Sequence, residues 1–248
     1  MNTFTKSIAL RVSRLALTPL RLAARMEFNE NIKPIFEKDI QMALESRSLR
    51  TTAEYVERKM RSTHSYRNKF DMFDSVLSTV RAEGLWLEFG VYSGESINYI
   101  ASKTSSIVYG FDSFEGLPEF WRDGFNAGHF AVSKLPDVSR NVELIKGWFD
   151  QTLPVFIGSK KDAVVSFLHI DCDLYSSTKT IFDILGRAIS DGTIIVFDEY
   201  FNYPGWEHGE FKAFQEFIGT SGFSYEYIGY VSTHEQVAVR VCKTGASP

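Results

Sequence analysis

The segment AVVSFLHIDCDLYSSTKTIFDILGRAIS, residues 163–190, joins an apolar run to an amphipathic stretch and places two aspartates at the junction. Its first part, AVVSFLHID (163–171), is almost continuously apolar, which is typical of a strand buried on both faces of a sheet. Its second part, STKTIFDILGRAIS (177–190), has apolar residues at helical spacing. A buried strand followed directly by a helix predicts a βαβ unit of a parallel sheet.

The same alternation of strand and helix extends over the rest of the chain. A hairpin at the end adds at least one antiparallel strand. We therefore predict an α/β fold with a Rossmann-like sheet of about seven mostly parallel strands and flanking helices. The predicted strands are residues 85–90, 106–112, 141–147, 163–171 and 191–199, followed by the hairpin of 224–232 and 235–243.

The chain before the first strand predicts a helical N-terminal extension. Residues 28–82 have the pattern of helices, with a break near Ser62–Ser65. We predict three parts: a basic amphipathic arm (1–27), a helical extension or lid (28–83) and the sheet domain (84–243).

The first 25 residues contain five basic residues and no acid. Arg11 and Arg14 interrupt the apolar run that a signal peptide needs, and the run is too short to cross a bilayer. The arm either lies on an anionic membrane surface or packs on the domain or on a second subunit, which would make a homodimer. The packing interpretation is favoured.

Composition limits the classes of partner and the compartment. A net charge of −4 over 248 residues gives no basic footprint for nucleic acid. Cys172 and Cys242 lie far apart, so a disulfide framework or a zinc site is not expected and a cytoplasmic location fits. Aromatic residues make up 15% of the chain, which suits a large core and a pocket for a flat or glycosidic ligand.

Acidic residues follow most of the predicted strands. Ligands of open α/β sheets bind beyond the carboxyl ends of the strands, so these residues are candidates for chemistry. Four of the five strand ends carry acids: Glu88, Asp112, Asp171 with Asp173, and Asp198 with Glu199.

The first strand leads into a turn with the spacing G-x-x-x-G. Gly90 lets the backbone approach a ligand, and Asp112, 22 residues further on, can accept both hydroxyls of a ribose. The spacing lacks the pyrophosphate signature of NAD enzymes. We therefore expect S-adenosylmethionine (SAM), with Glu88 and the backbone of Gly90, Val91 and Gly94 near its amino acid part. A tight turn alone, or a nicotinamide cofactor, is the alternative.

The four acids that end the fourth and fifth predicted strands indicate a cation. Asp171 and Asp173 point to the same side of their strand, and Asp198 and Glu199 close its predicted neighbour. Carboxylates crowded in this way raise each other's pKa, and Mg²⁺ with its preference for oxygen ligands would relieve the repulsion. A spare carboxylate could act as general base. The alternative is helix capping by Asp173 with Ser176 and Ser177, together with solvated turn acids.

Four segments together resemble the macrocin O-methyltransferase family: FDSFEGLPE (111–119), GWFDQTLP (147–154), HIDCDLYSST (169–178) and FDEYFNYPG (197–205). Its members are class I SAM-dependent methyltransferases, several of which methylate sugar hydroxyls of natural products. The resemblance covers roughly residues 84–241.

The resemblance assigns roles by position. It implies that Asp171, Asp198 and Glu199 bind magnesium and that Asp173 is the base. It further implies Asp112 and Ser113 at the ribose and Trp148 at the adenine. The family usually has Asp-Asp where this chain has Asp198-Glu199.

Two other segments are candidates for the acceptor side of the site. YPGWEHGEFKAF (203–214) departs from the family, so that Trp206 and His208 either mark a different acceptor or lie apart from the site. The long segment 114–140, with Trp121, Phe125, His129 and Phe130, has the length of a functional lid. Residues Thr63–Tyr66 are a candidate for the opposite wall.

The leading hypothesis is a SAM-dependent O-methyltransferase. An NAD(P)-dependent oxidoreductase and a non-catalytic, membrane-associated scaffold are the alternatives.

Overall fold

The computed structural model describes residues 18–28, 30, 38–81 and 83–244. Within them the helices are α1 (Thr18–Glu27), α2 (Ile40–Lys59), α3 (Lys69–Leu77), α4 (Glu95–Ser102), α5 (Phe149–Ser159), α6 (Tyr175–Leu185) and α7 (Glu210–Ser221), with a short 3-10 helix at Trp206–His208. The strands are β1 (Ser65–Tyr66), β2 (Leu85–Phe89), β3 (Val108–Asp112), β4 (Val142–Lys146), β5 (Val165–Ile170), β6 (Ile189–Phe197), β7 (Phe223–Val231) and β8 (Val237–Lys243).

The strands form one sheet in the order β1-β7-β8-β6-β5-β2-β3-β4. Neighbouring strands are parallel except at β8, which runs antiparallel to both β6 and β7. The predicted Rossmann-like sheet and its terminal hairpin are therefore confirmed. The strand order reverses between β2 and β5, and a ligand crevice is expected at such a reversal.

The sheet has eight strands because the N-terminal region contributes one. Ser65 and Tyr66 pair in parallel with Tyr230 and Val231 of β7. The expected break in the helices is present, but its residues form an edge strand. Two residues carry too little periodicity for this strand to be visible in the sequence.

Helices cover both faces of the sheet, as the near-continuous apolar strands predict. β2 and β5 are buried along their whole length. On one face α5, α6 and α7 supply Leu153, Ile181 and Phe214 to a core with the side chains of alternate strand residues. On the other face α3 and α4 supply Phe73 and Ile97. This double burial fixes the strands and so holds their carboxyl ends at one edge.

The chain divides into two units, residues 1–47 and 48–248. In the first, α1 has exposed side chains throughout, including Leu20 and Leu22. The predicted basic arm lies outside the described residues as far as residue 17. Among described residues, no helix has the length and apolarity to cross a membrane. Membrane contact through residues 1–25 and a homodimer stay predictions.

Candidate active site

A cavity of about 750 Å³ opens at the carboxyl ends of the central strands. Its walls come from the turn after β2, the end of β3, the start of α5, the residues after β5 and β6, and the segment between β3 and β4. It therefore lies at the reversal of strand order, where an α/β sheet positions its ligand.

The turn after β2 is held by Asp112. One carboxylate oxygen of Asp112 accepts hydrogen bonds from the backbone N–H groups of Val91 and Tyr92, each at 2.8 Å, and the other accepts one from Phe114 at 2.6 Å. A carboxylate offers about four lone-pair sites, so Asp112 still has capacity for a ligand hydroxyl. Asp112 thus shapes the turn and faces the cavity at once.

Most of the predicted cofactor residues meet in this cavity. Gly94 lies outside its lining; it has φ of +83° and precedes the first residue of α4, so it redirects the chain into that helix. The predicted residues that do line the cavity are Gly90, Val91, Asp112, Ser113 and Trp148.

Glu88 lies beneath the cavity, outside its lining. Its side chain is fully buried, with one carboxylate oxygen 3.0 Å from Nδ1 of His169 and the other accepting a hydrogen bond from Oγ of Ser96 at 3.1 Å. Burial by itself would lower the pKa of His169, but the contacts with Asp198 and Glu88 outweigh it and raise the pKa to about 10. Glu88 therefore balances a buried imidazolium, a role that its position in the sequence does not reveal.

The four predicted acids all line the same cavity. Burial, reinforced by the charge of Asp198, raises the pKa of both Asp171 and Glu199 well above the usual carboxyl range. Burial also acts to raise the pKa of Asp198, but His169 and Lys69 oppose it and bring this pKa below its ordinary value. The acids thus crowd as predicted, and one of them is held charged by two cations.

Polar atoms without partners indicate that this cluster suits a cation. Ligand atoms of His169, Asp171 and Asp198 lie within 4.8 Å of one another, a spacing that fits a metal ion. Within the described part of the chain, three buried side-chain atoms of the cluster have no hydrogen-bond partner: Nε2 of His169, Oδ1 of Asp198 and Oε2 of Glu199. Nε2 of His169 and Oδ1 of Asp198 lie 3.7 Å apart as an ion pair, whereas no such pairing accounts for Oε2 of Glu199. Buried polar groups are normally paired, so Glu199 has a free oxygen for a ligand.

The three residues whose ligand atoms lie close together are His169, Asp171 and Asp198. The resemblance implied Glu199 as the third metal ligand, but Glu199 is not one of these three. Glu199 is positioned by Glu210, whose carboxylate accepts a hydrogen bond from the Glu199 backbone N–H at 3.2 Å. Glu210 is itself fully buried. Carboxylate oxygens suit a hard divalent cation such as Mg²⁺, whereas the charged ring of His169 has no free lone pair for a metal, so the carboxylates are the candidate ligands.

Asp173 is buried and lines the cavity beside this cluster. Burial raises its pKa to about 7, with Arg122 opposing the increase. The capping alternative is wrong, because Leu174 occupies the N-cap of α6 without a side-chain bond. Ser176 instead donates to Glu119 at 2.6 Å. Asp173 also has φ of +64°, a conformation that is uncommon for a residue other than glycine and costs free energy.

Two basic residues of the cavity were missed from the sequence. Nζ of Lys69 lies 3.8 Å from Oδ1 of Asp198, and Lys69 begins α3, in the region predicted as a plain helical extension. Arg122 pairs with Glu235 at 3.0 Å. Neither residue lies at a strand end, so the pattern that found the acids could not find them.

The predicted lid, segment 114–140, does supply part of the cavity wall through Trp121, Phe125 and Phe130, whereas His129 lies outside the lining. The opposite wall predicted at Thr63–Tyr66 is wrong, because β1 lies at the edge of the sheet beside β7.

Trp206 and His208, in the segment 203–214 that differs from the family, also lie outside the cavity lining. Trp206 is buried and donates from Nε1 to Thr51 at 3.1 Å, and His208 is exposed.

Comparison with known proteins gives matches to methyltransferases. Residues 87–200 match the family model described as Methyltransferase domain. A curated relative, the 8-demethyl-8-(2,3-dimethoxy-alpha-L-rhamnosyl)-tetracenomycin-C 4'-O-methyltransferase of Streptomyces olivaceus, is 27% identical over 53% of this chain. The match spans 60% of that relative's length.

Solved structures agree with this assignment of the fold. The calicheamicin methyltransferase CalS11 is 20% identical, with a TM-score of 0.53, over 97% of this chain and 93% of its own. The O-methyltransferase NovP is 21% identical, with a TM-score of 0.53, over 71% and 80%. An O-methyltransferase from Bacillus cereus in complex with SAH is 16% identical, with a TM-score of 0.50, over 88% and 96%. The chain has the Rossmann-like α/β fold of methyltransferases.

Proposed function

We propose that the protein is a class I SAM-dependent O-methyltransferase that methylates a hydroxyl of a sugar or of a glycosylated small molecule, assisted by a divalent metal ion. The observation that carries the proposal is the single cavity in which the turn of Gly90 and Val91, with Asp112, meets the acids Asp171 and Asp173. One end suits a nucleoside and the other suits a hydroxyl that must lose a proton.

The proposed acceptor class has support from the curated relative. That protein's name describes methylation of a rhamnosyl group, and the two sequences are 27% identical. The four segments that resemble macrocin O-methyltransferases include Asp112, Trp148, Asp171, Asp173, Asp198 and Glu199, all of which line the cavity. We extend the proposal to that family on this ground.

The residues present fit SAM. Asp112 retains acceptor capacity for the ribose, Ser113 lies beside it, and Trp148 offers an aromatic face for the adenine. The backbone of Gly90 and Val91 would hold the amino acid part. When bound, SAM would supply a sulfonium methyl group, to which the acceptor oxygen bonds as the methyl–sulfur bond breaks and its electrons remain on sulfur.

The carboxylates also fit a divalent cation, with Asp171, Asp198 and Glu199 as the proposed holders. The unpartnered oxygen of Glu199, and the pKa values of Asp171 and Glu199 that burial and the charge of Asp198 raise, support a cation among these carboxylates. When bound, the cation would supply positive charge that favours loss of a proton from a nearby hydroxyl.

The remaining chemistry belongs to the chain's own residues. Asp173 accepts the hydroxyl proton as general base, from a buried position beside the cluster. Glu210 holds Glu199 by its backbone, and the Glu88–His169 pair supports Asp198 from below the cavity. The cavity walls bring the two reactants together, which is the larger part of the work in a direct displacement.

The proposal is tested by titration calorimetry with S-adenosylhomocysteine (SAH) and with NAD, followed by transfer of a radiolabelled methyl group from SAM to a panel of sugar derivatives. We expect binding of SAH and methyl transfer that falls by roughly 10²–10⁴-fold in Asp173→Asn. Binding of NAD in place of SAH would favour the oxidoreductase, and binding of neither would favour the scaffold.

A further inference from the structure

The segment between β3 and β4 builds a continuous aromatic surface on one side of the cavity. We define the aromatic wall as Tyr92, Trp121, Phe125 and Phe130, all of which line the cavity. Neighbouring ring centroids are 5.3 Å apart for Tyr92 and Phe130, 5.7 Å for Phe130 and Phe125, and 5.0 Å for Phe125 and Trp121. The wall therefore runs without a gap from the cofactor turn, which contains Tyr92, to Trp121.

The far end of the wall lies in the same cavity as the acids. Trp121 and Asp173 both line this cavity, and the charge of Arg122, the residue after Trp121, acts on Asp173. A molecule that offers a hydroxyl to Asp173 would thus lie against the wall. Flat apolar faces of a sugar ring or of an aglycone are the surfaces that aromatic side chains bury.

The backbone holds part of this wall in strained conformations. Tyr92 has φ of +46° and Phe130 has φ of +69°. Such values are uncommon for aromatic residues and cost free energy, so their clustering in a cavity points to a ligand-binding role. Tyr92 is also 48% exposed, which leaves ring surface for a ligand.

The charge of the cavity disfavours one large class of sugar acceptor, the nucleotide sugars. Seven acids line it against two bases, Lys69 and Arg122. A divalent cation held by these acids would offset two of the negative charges, and the acids would still outnumber the positive charges. The excess of negative charge repels the diphosphate of a nucleotide sugar.

Neither base is available as a phosphate receptor. The guanidinium of Arg122 bonds both carboxylate oxygens of Glu235, at 3.0 and 3.2 Å, and its central carbon lies 3.8 Å from the Trp121 ring centroid. Nζ of Lys69 faces the acids, 3.8 Å from Oδ1 of Asp198. A diphosphate would have to break one of these arrangements.

We infer that the aromatic wall is the acceptor subsite and that it takes an uncharged glycoside, whose apolar face lies on the rings, in preference to a nucleotide sugar. The inference rests on the proposed function, since it names the acceptor of the same site. It assigns Trp121, Phe125, Phe130 and Tyr92 to acceptor specificity.

Calorimetry on the full chain saturated with SAH and Mg²⁺ tests the inference. The probes are matched pairs that share one sugar: p-nitrophenyl α-L-rhamnoside with TDP-L-rhamnose, and p-nitrophenyl β-D-glucoside with UDP-glucose. We expect at least one aryl glycoside to bind at least tenfold more tightly than its nucleotide partner. Equal or tighter binding of the nucleotide sugars, or no binding of either aryl glycoside, overturns the inference.

Variants test whether the aromatic wall binds the acceptor or only supports the fold. Trp121→Ala should weaken binding of the aryl glycoside at least tenfold and change the dissociation constant of SAH less than twofold, with Trp121→Phe between it and the wild type. Phe120→Ala is the matched control, because Phe120 is 61% exposed and lies outside the cavity lining. Unchanged glycoside binding in Trp121→Ala contradicts the inference. If Trp121→Ala does not fold, Trp121→Phe and Phe125→Leu are measured in its place. Aryl glycoside binding equal to that of the wild type in both variants contradicts the inference.

Loss of SAH binding in the wild type would refute the proposed function itself. SAH binding without glycoside binding would refute only the acceptor subsite.

Discussion

The backbone carbonyl oxygen of Asp171 lies 1.6 Å from the position that a Cβ atom would take at residue 90. Gly90 donates its N–H to the carbonyl of Phe111, and the N–H of Asp171 bonds the carbonyl of Phe89, at 2.9 and 2.8 Å. The proposed cofactor turn and the proposed metal ligand are therefore packed backbone against backbone. The close approach of a neighbouring strand end therefore requires glycine at position 90.

Gly90→Ala is expected to destabilise the protein strongly. At φ of +92° any Cβ costs roughly 1–2 kcal/mol, and the clash with Asp171 forces the backbone apart in addition. Gly124→Ala is the matched control, with φ of +86° and open space around the added atom. Urea denaturation should give a loss of about 4 kcal/mol or more for Gly90→Ala and about 1–2 kcal/mol for the control. Equal losses would show that the contact with Asp171 does not matter.

Asp173→Asn is expected to lower kcat by roughly 10²–10⁴-fold, since amide nitrogen and oxygen do not accept the hydroxyl proton. The dissociation constant of SAH, measured by calorimetry, should stay within about twofold of the wild type. Asp137→Asn, with a side chain that is 96% exposed, serves as the control. Parallel loss of SAH binding would assign Asp173 a structural role.

The activity of the wild type is expected to rise with pH through neutrality. Burial raises the pKa of Asp173 to about 7, so the base carries its proton below that pH and is ready to accept one above it. The measurement is kcat/KM between pH 5.5 and 9, taken with SAM transfer to the best acceptor. A profile that is flat over this range would be inconsistent with Asp173 as the base.

A divalent cation is expected to stabilise the protein more at pH 8 than at pH 5.5. The pKa values of Asp171 and Glu199 are higher in the folded protein than in the unfolded chain. Protonation of these two acids therefore stabilises the folded state at low pH, and this stabilisation is lost as pH rises. The unfolding midpoint should therefore fall with pH in EDTA and recover with Mg²⁺ at pH 8, and EDTA should abolish methyl transfer.

Glu199→Gln should reduce the recovery with Mg²⁺, whereas Glu207→Gln, an exposed neighbour, should leave it unchanged. Full activity in EDTA would remove the metal from the proposal.

Glu88→Gln is expected to cost about 3–5 kcal/mol at pH 7, because it leaves the buried charge of His169 without its partner. The pKa of His169 is raised from 6.5 to about 10, so this stabilisation is complete below about pH 6.5 and is lost as pH rises toward 10. Urea denaturation at pH 7 and pH 10 should therefore show a smaller difference between variant and wild type at the higher pH.

Glu226→Gln, which removes an exposed pair with Arg240, should cost about 1 kcal/mol or less. A pH-independent loss in Glu88→Gln would argue against a charged His169.

The main features of the site were accessible from sequence because they depend on local patterns. Apolar strands followed by acids predicted that Asp112, Asp171, Asp173, Asp198 and Glu199 meet at one edge, and all five line one cavity. Parallel strands bring their carboxyl ends to one edge of the sheet whatever lies between them, so the positions of the acids at strand ends are enough to predict that they meet.

Residues that act through buried pairing could not be predicted in this way. His169 contacts Glu88, which is 81 residues away in the sequence. Glu210 contacts Glu199, which is 11 residues away and lies outside its helix. A histidine inside an apolar strand and a glutamate at a helix start have no pattern that distinguishes them from ordinary residues.

The sheet, the strand-end acids and the glycine turn follow from residue order alone, because periodicity of apolar residues and turn chemistry are properties of neighbours along the chain. Folding is what pairs Glu88 with His169, brings Lys69 to Asp198, and joins Tyr92, Phe130, Phe125 and Trp121 into one wall. These relationships depend on the distance between side chains of different elements. That distance is set by how helices and loops pack on the sheet.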